Sequence, residues 1–262
     1  MPHAKPFSLN HVETKMSRLS GKVTIITGAG RGIGRATAKL FAAKGAKVAV
    51  VSRTVSQVQA VVAEIVDAGG TALGIPCDIG HADQIKHVVD TVVTAYGSID
   101  ILVNNAFDFS AANSSIADMS VTQLQKNFDT GPIATLLFMQ ASYPYLKASG
   151  HGRVINFASS TGILGIPGLG PYNMAKEAVR ALTRTAAREW GVDKITVNTV
   201  LPLAQTWPDE ANIPLPNNVA GRYGIPEKDI APVLLFLASK DGQFITGSSL
   251  APDGGFIIDS GR

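Results

Sequence analysis

Short runs of β-branched and aliphatic residues alternate with amphipathic stretches from Lys22 onward, the pattern expected when parallel strands are joined by crossover helices. The strand candidates are Val23–Thr27, Lys47–Ser52, 72–77, Ile101–Asn104, 154–158, 195–200 and a short last run at 249–252. Between them Val55, Val58, Val62, Ile65 and Val66 recur at helical spacing, as do Ile85, Val88, Val89, Val92 and Tyr96. The alternation predicts an α/β protein: a doubly wound parallel sheet of about seven strands with helices on both faces. One region, 201–225, breaks the pattern. It holds Pro202, Pro208, Pro214 and Pro216 with Asn212, Asn217, Asn218 and Gly221, a composition suited to turns and a mobile cover over a binding cleft. Helical patterning resumes at Pro226 with Ile230, Val233, Leu234 and Leu237.

Length and composition narrow this further. A chain of 262 residues, 45% hydrophobic and 16% charged, is long enough for one large core, so residues 19–262 are expected to form a single domain. Residues 1–18 carry Pro2, Pro6, His3, His11, Lys5, Lys15 and Glu13 without an apolar block, and read as a flexible tail rather than a signal peptide or membrane anchor. The net charge of +3 is spread among acids rather than gathered in a stripe, which argues against nucleic acid as a partner. Cys77 is the only cysteine, so no internal disulfide can form, and no Cys/His cluster has metal-ligand spacing. A reducing cytoplasm is the expected location.

Chemistry enters at Thr27-Gly28-Ala29-Gly30-Arg31-Gly32-Ile33-Gly34, placed directly after the first strand and opening a helix that carries Ala36, Leu40 and Phe41. Backbone N–H groups at such a helix start attract phosphate, and glycines let a pyrophosphate approach the main chain. At the end of the second strand, where NAD-binding sites place a carboxylate for the ribose hydroxyls, this chain has Ser52 and Arg53, and no acid follows until Glu64. Arg31 and Arg53 are either solvated surface charges or a pair that grips a 2′-phosphate, and the second reading makes the cofactor NADP(H).

The glycine spacing T-G-x-x-x-G-x-G resembles the first motif of the short-chain dehydrogenase/reductase family, of the simple single-domain type that includes 3-oxoacyl-ACP reductases. The resemblance runs from Leu19 to Phe256 and implies a Rossmann-type fold. It implies cofactor contacts by Gly28, Arg31, Gly32, Ile33, Gly34, Ser52, Arg53, Asp78, Ile79, Asn105, Ala106, Pro202 and Thr206, with Asp78 beside the adenine. Read without it, Asp78 is a turn or cap residue.

Tyr172 and Lys176 lie four apart at the start of a long helical pattern, so both can reach one cleft. A tyrosine with a pKa of about 10 is a poor base near neutrality, and a fixed cation beside it favours the phenolate. Ser159, thirteen positions earlier at the end of the fifth strand, can polarise a substrate oxygen there; Ser160 competes for the role, and either can cap a turn. By the resemblance, Asn127, Ser159, Tyr172 and Lys176 form a catalytic tetrad. Tyr172 and Lys176 also contact the nicotinamide ribose region, and Asn127 supports a water linked to the lysine.

Two positions depart from the family pattern: Phe107 follows Asn104-Asn105-Ala106 where glycine is usual, and Leu203 follows Pro202, with Thr206 arriving slightly early. Phe107, Phe109, Ile163, Leu164, Leu203 and Trp207 are candidate apolar lining residues for a hydrophobic ketone or alcohol, or ordinary packed positions. The expected function is an NADP(H)-dependent oxidoreductase interconverting a carbonyl and a secondary alcohol, with a small-molecule substrate and, by the resemblance, a homotetrameric assembly. Its alternatives are a 3-oxoacyl thioester reductase and a catalytically silent NADP-binding sensor or assembly subunit.

Overall fold

In a computed structural model, residues 17–206 and 214–258 are described, so the expected tail up to residue 16, and Trp207, Pro208 and Asn212 of the irregular segment, lie outside the described residues. Seven strands form one parallel sheet: β1 (Val23–Thr27), β2 (Lys47–Ser52), β3 (Thr71–Pro76), β4 (Ile101–Asn104), β5 (Arg153–Phe157), β6 (Thr196–Val200) and β7 (Ser249–Leu250). Their spatial order is β3-β2-β1-β4-β5-β6-β7. Every pairing is parallel, from Val23 opposite Lys47 to Val200 opposite Leu250.

The order reverses between β1 and β4. In an open α/β sheet that reversal leaves a crevice at the carboxyl ends of the strands, where no crossover connection covers it. Three helices that carry the site are α1 (Gly32–Ala43), leaving β1; α4 (Val121–Phe128); and α7 (Gly170–Trp190). The remainder are α2 (Val55–Asp67), α3 (Ala82–Tyr96), α5 (Ala134–Ala148), α6 (Ser160–Leu164) and α8 (Ala231–Ala238).

Both faces of the sheet are covered, which is why β1, β4, β5 and β6 are buried at every position instead of alternating with polar residues. The side-chain alternation still sorts the core. Ile26, Val48 and Val50 pack with Phe41 of α1 and Leu234 of α8, while Ile25, Ala49 and Val51 pack with Val88 and Val92 of α3 and Phe138 of α5.

The expected strands 154–158 and 195–200 are off by one residue at one or both ends, and the last strand is two residues long. In α2 the outer members of the expected stripe, Val55 and Val66, face solvent, and Val58, Val61 and Ile65 are buried. The stripe follows a 3.6-residue period from Val58, which Val55 and Val66 miss. Between α4 and α5 the backbone makes a π turn at Asp129–Ile133, where Gly131 leaves helical geometry (φ −102°, ψ −105°) ahead of Pro132. Proline has no N–H to donate and crowds the preceding turn, which accounts for the kink.

Candidate active site

A cleft of about 950 Å³ opens at the carboxyl ends of the strands. Its floor begins at the turn after β1. Gly28 takes φ +66°, and a Cβ there would come within 2.6 Å of Asn105 Nδ2. A Cβ on Gly34 would meet the Gly28 carbonyl oxygen at 2.3 Å, so both glycines are required by packing. The turn is braced from β4: Asn105 Nδ2 donates to the Thr27 and Gly28 carbonyls at 2.8 and 3.2 Å, and Thr27 Oγ1 accepts from the Asn105 and Ala106 amides, each at 3.0 Å.

Helix α1 starts without a side-chain cap and without an acidic residue in its first turn, so its leading N–H groups face the cleft with no carboxylate competing for them. Arg31, at the cap position, and Arg53, just past β2, both line the cleft, as do Ser52, Asp78, Ile79, Pro202 and Thr206. An uncapped helix start flanked by two arginines suits a phosphorylated dinucleotide. Thr206 lies within about 3.3 Å of the place a Cβ on Gly32 would occupy, so the shortened spacing after Pro202 still brings it over the glycine turn. Asp78 Oδ1 also accepts from the Gly80 amide at 3.0 Å, giving it the turn role as well.

Three of the four tetrad residues come together at the cleft wall. Tyr172 in the first turn of α7, Ser159 after β5 and Lys176 one turn along all line the cleft, although each is more than nine-tenths buried. Ser160, the competing serine, turns away and donates to Asp253 Oδ2 at 3.2 Å. Ser159 Oγ caps α6 by accepting from the Thr161 amide at 3.2 Å, and is 2.9 Å from Thr161 Oγ1. Asn127 is fully buried behind the cleft rather than on its wall. Its Nδ2 donates to the Ala111 and Gln123 carbonyls, while its Oδ1 has no partner among the described residues.

Spacing suggested that the Lys176 cation favours the Tyr172 phenolate. Burial acts the other way and raises the Tyr172 pKa above its usual value, with a hydrogen bond to Ser159 partly opposing this. Lys176 is itself pushed down to about 7 by burial. Its Nζ donates to the Phe157 carbonyl at 3.0 Å and sits 4.3 Å from the centre of the Phe107 ring.

Phe107 belongs to the site rather than to the general core. It meets Tyr172 edge-on at 5.2 Å and Phe109 at 5.2 Å, and Phe109 lies 5.4 Å from Tyr172. Leu203 also lines the cleft; Ile163 and Leu164 do not, being 42% and 46% exposed on α6. Residues missed by sequence reasoning include Thr27, whose hydroxyl braces the turn, and Leu169, Thr161 and Asp108 on the cleft wall. Thr27 was legible as the first letter of the glycine motif, whereas Leu169 carried no signal. Asp108 Oδ2 lies 3.6 Å from Arg53 and 3.7 Å from Lys126, and its hydrogen bond to the Ser110 backbone holds its carboxyl below the usual range.

Fold and cleft together define a dinucleotide-binding oxidoreductase of the Rossmann type. A family model described as enoyl-(acyl carrier protein) reductase matches residues 28–257, and the chain belongs to the short-chain dehydrogenase/reductase family, whose members use nicotinamide cofactors. It is 37% identical over 252 residues to a 2,5-dichloro-2,5-cyclohexadiene-1,4-diol dehydrogenase of Sphingobium indicum, covering 92% of this chain and 99% of that one. It is 34% identical over 254 residues to a 3-oxoacyl-[acyl-carrier-protein] reductase of Synechocystis, covering 93% and 100%. A solved dehydrogenase/reductase from Sinorhizobium meliloti superposes with a TM-score of 0.86 at 33% identity, covering 94% of this chain and all of that one. The protein is an oxidoreductase acting between CH–OH and C=O on a small molecule. Among the described residues no helix is long and apolar enough to cross a membrane, and no metal-binding cluster occurs.

Proposed function

We propose that the protein reduces an apolar, ring-bearing ketone, or oxidises the corresponding secondary alcohol, with NADP(H) as cofactor. The observation that carries this reading is the convergence of Tyr172, Ser159 and Lys176 on a cleft whose other wall is the Phe107–Phe109 pair. When bound, the cofactor supplies or accepts a hydride at its nicotinamide carbon. Tyr172 donates its phenolic proton to the substrate oxygen in the reductive direction and recovers one in the other, a role suited to a group whose pKa burial has raised. Ser159 Oγ donates a hydrogen bond to the same oxygen and concentrates the developing charge there. Lys176 holds ribose hydroxyls and replaces the proton that Tyr172 gives up. Asn127, with its unpartnered Oδ1, keeps a water in reach of that lysine.

Arg31 and Arg53 pair with the 2′-phosphate, and Gly28, Gly32, Ile33, Gly34, Ser52, Asp78, Ile79, Asn105, Ala106, Pro202 and Thr206 complete the cofactor contacts. Asn105 does so mainly through its brace on the glycine turn. The reading also takes residues 19–262 as one catalytic domain acting in the cytoplasm.

An aromatic wall favours a ring over a flexible thioester chain because rigid apolar faces stack without loss of rotamer freedom. The named activity of the Sphingobium relative is of the first kind and that of the Synechocystis relative of the second. A screen of NADPH oxidation with cyclic ketones and 3-oxoacyl thioesters decides between them, and no turnover with any carbonyl would leave the silent-subunit reading. Fluorescence titration should show NADPH bound more tightly than NADH. Removal of Arg31 and Arg53 by alanine should abolish that difference, and unchanged preference would refute the NADP assignment.

A further inference from the structure

At the opposite edge of the sheet from the cleft, a second cavity of about 310 Å³ lies beneath the amino ends of β1, β4 and β5. Arg18, Lys22, Arg153 and Lys240 line it together with His151, and none of its lining residues is an Asp or Glu. Arg153 is the unusual member. Its side chain is buried, with 7% of the residue exposed, and has no ion pair with any described residue. Its Nη1 donates to the His151 and Gly152 carbonyls at 2.9 and 3.0 Å, which fixes the guanidinium plane. The other edge is left over: Nε is buried with no partner, and Nη2 makes no hydrogen bond to a described residue.

A buried guanidinium without a carboxylate is an uncompensated charge, and burial lowers the Arg153 pKa with no acid opposing the shift. Nη2, unlike the occluded Nε, is left to donate to an anion oxygen in the cavity, with the guanidinium plane already fixed by Nη1. At the rim, Lys240 also lacks an ion pair among the described residues, whereas Arg18 is engaged with Asp241 and Ser239, and Lys22 with Asp100 at 3.4 Å. Arg153, buried, and Lys240, exposed at the rim, are thus left without an acidic partner among the described residues, and together they suit a doubly charged anion. Gln243 adds a neutral donor.

We propose that this cavity binds a phosphoryl dianion, free or esterified to a small molecule, gripped by Nη2 of Arg153 and by Lys240. The site is separate from the cofactor cleft, and the proposal does not rest on the assigned activity.

The test is a thermal-shift titration of the full-length protein with inorganic phosphate and with glycerophosphate, chloride holding ionic strength constant, joined to phosphorus NMR line broadening of each anion. A saturable rise in Tm with phosphate and none with chloride is expected, and tighter binding of one of the two anions identifies free or esterified phosphate as the ligand. Lys240→Gln, on the exposed rim, should weaken the response by roughly tenfold, and Arg153→Lys, if it folds, by at least as much. The Arg31→Ala/Arg53→Ala protein, lacking the cations of the cofactor cleft, should keep a saturable response that Lys240→Gln, added to it, weakens. No saturable rise, an unchanged response in Lys240→Gln, or loss of the response in Arg31→Ala/Arg53→Ala would overturn the proposal.

Discussion

Replacing Phe107 separates what its ring does as bulk from what it does as a π face. The Lys176 ammonium sits 4.3 Å from the ring centre, 5.6 Å from the centre of the Tyr172 ring, and donates to the Phe157 carbonyl. The titratable groups around it are few. Tyr172 shares its helix and touches Phe107; Asp108, the next residue along, is held by Arg53, Lys126 and Ser110; Ser159, just past β5, is neutral. The Lys176 pKa of about 7 is therefore set by desolvation, and the ring face adds a pull towards the charged form. A cation–π contact at a desolvated site is worth ~1–2 kcal/mol in favour of the charged form. Phe107→Leu keeps water out and removes that contact, so the pKa should fall by roughly one unit. The protonated fraction near neutrality would fall accordingly, lowering any rate that needs the ammonium by about three- to tenfold. Phe107→Ala instead admits water, relieves the desolvation and should move the pKa upward. The assay is the pH profile of kcat/KM for NADPH at saturating carbonyl substrate, which reports groups of the free enzyme. Leucine and alanine variants shifting in the same direction, or neither shifting, would refute the reasoning.

Other outcomes follow from the same geometry. Tyr172→Phe should retain NADPH binding and lose about 10²–10⁴ of turnover, measured by cofactor fluorescence and by NADPH oxidation. Lys176 has a folded pKa of about 7 against 10.5 for the free side chain, so the unfolded chain binds its proton more tightly between those values. Its cost to stability is greatest below pH 7 and fades towards pH 10.5. Lys176→Met should thus be inactive yet more stable by about 2–4 kcal/mol at neutral pH, with the gain vanishing near pH 10.5 in urea titrations. Asp108→Asn should release Arg53 for the cofactor. The existing contact is long and Arg53 is 57% exposed, so NADPH affinity should improve by no more than about fivefold in a binding titration. Assembly is expected as a homotetramer, which light scattering would register as four chains of 27.4 kDa.

How far the sequence could be read depends on what each feature rests on. The strands were legible because burial on both faces gives continuous β-branched runs such as Lys47–Ser52. Strand ends were not, since Ile195 is as apolar as its strand neighbours and only the pairing register excludes it. The glycine turn and the Tyr172–Lys176 spacing were legible as local patterns. The raised Tyr172 pKa was not, because it comes from desolvation by residues remote in sequence, Phe107 and Phe109 among the ring contacts. The choice between Ser159 and Ser160 likewise needed a contact 93 positions away, to Asp253.

The places where this chain breaks local rules also fall into a pattern. Helix α4 opens with a full capping box, Ser120 and Gln123 satisfying each other's backbone amides, on the exposed side of the molecule. Helix α1 opens at the cleft with no side-chain cap, no acid in its first turn and an arginine at the cap position. Intrinsic stability would be better served by the first arrangement, which is worth about 0.5–2 kcal/mol per cap. Lys176 is buried without a carboxylate, and Asn127 keeps an oxygen unpartnered. Each of these would be a defect in a protein that only had to fold, and all three lie at or directly behind one cleft. A silent dinucleotide-binding subunit would use the uncapped helix, the arginines and a lysine on the ribose, but it has no need of a tyrosine and a serine buried beside that lysine at the cleft wall. The convergence of Tyr172, Ser159 and Lys176 is thus the part of the architecture that argues most directly for proton transfer.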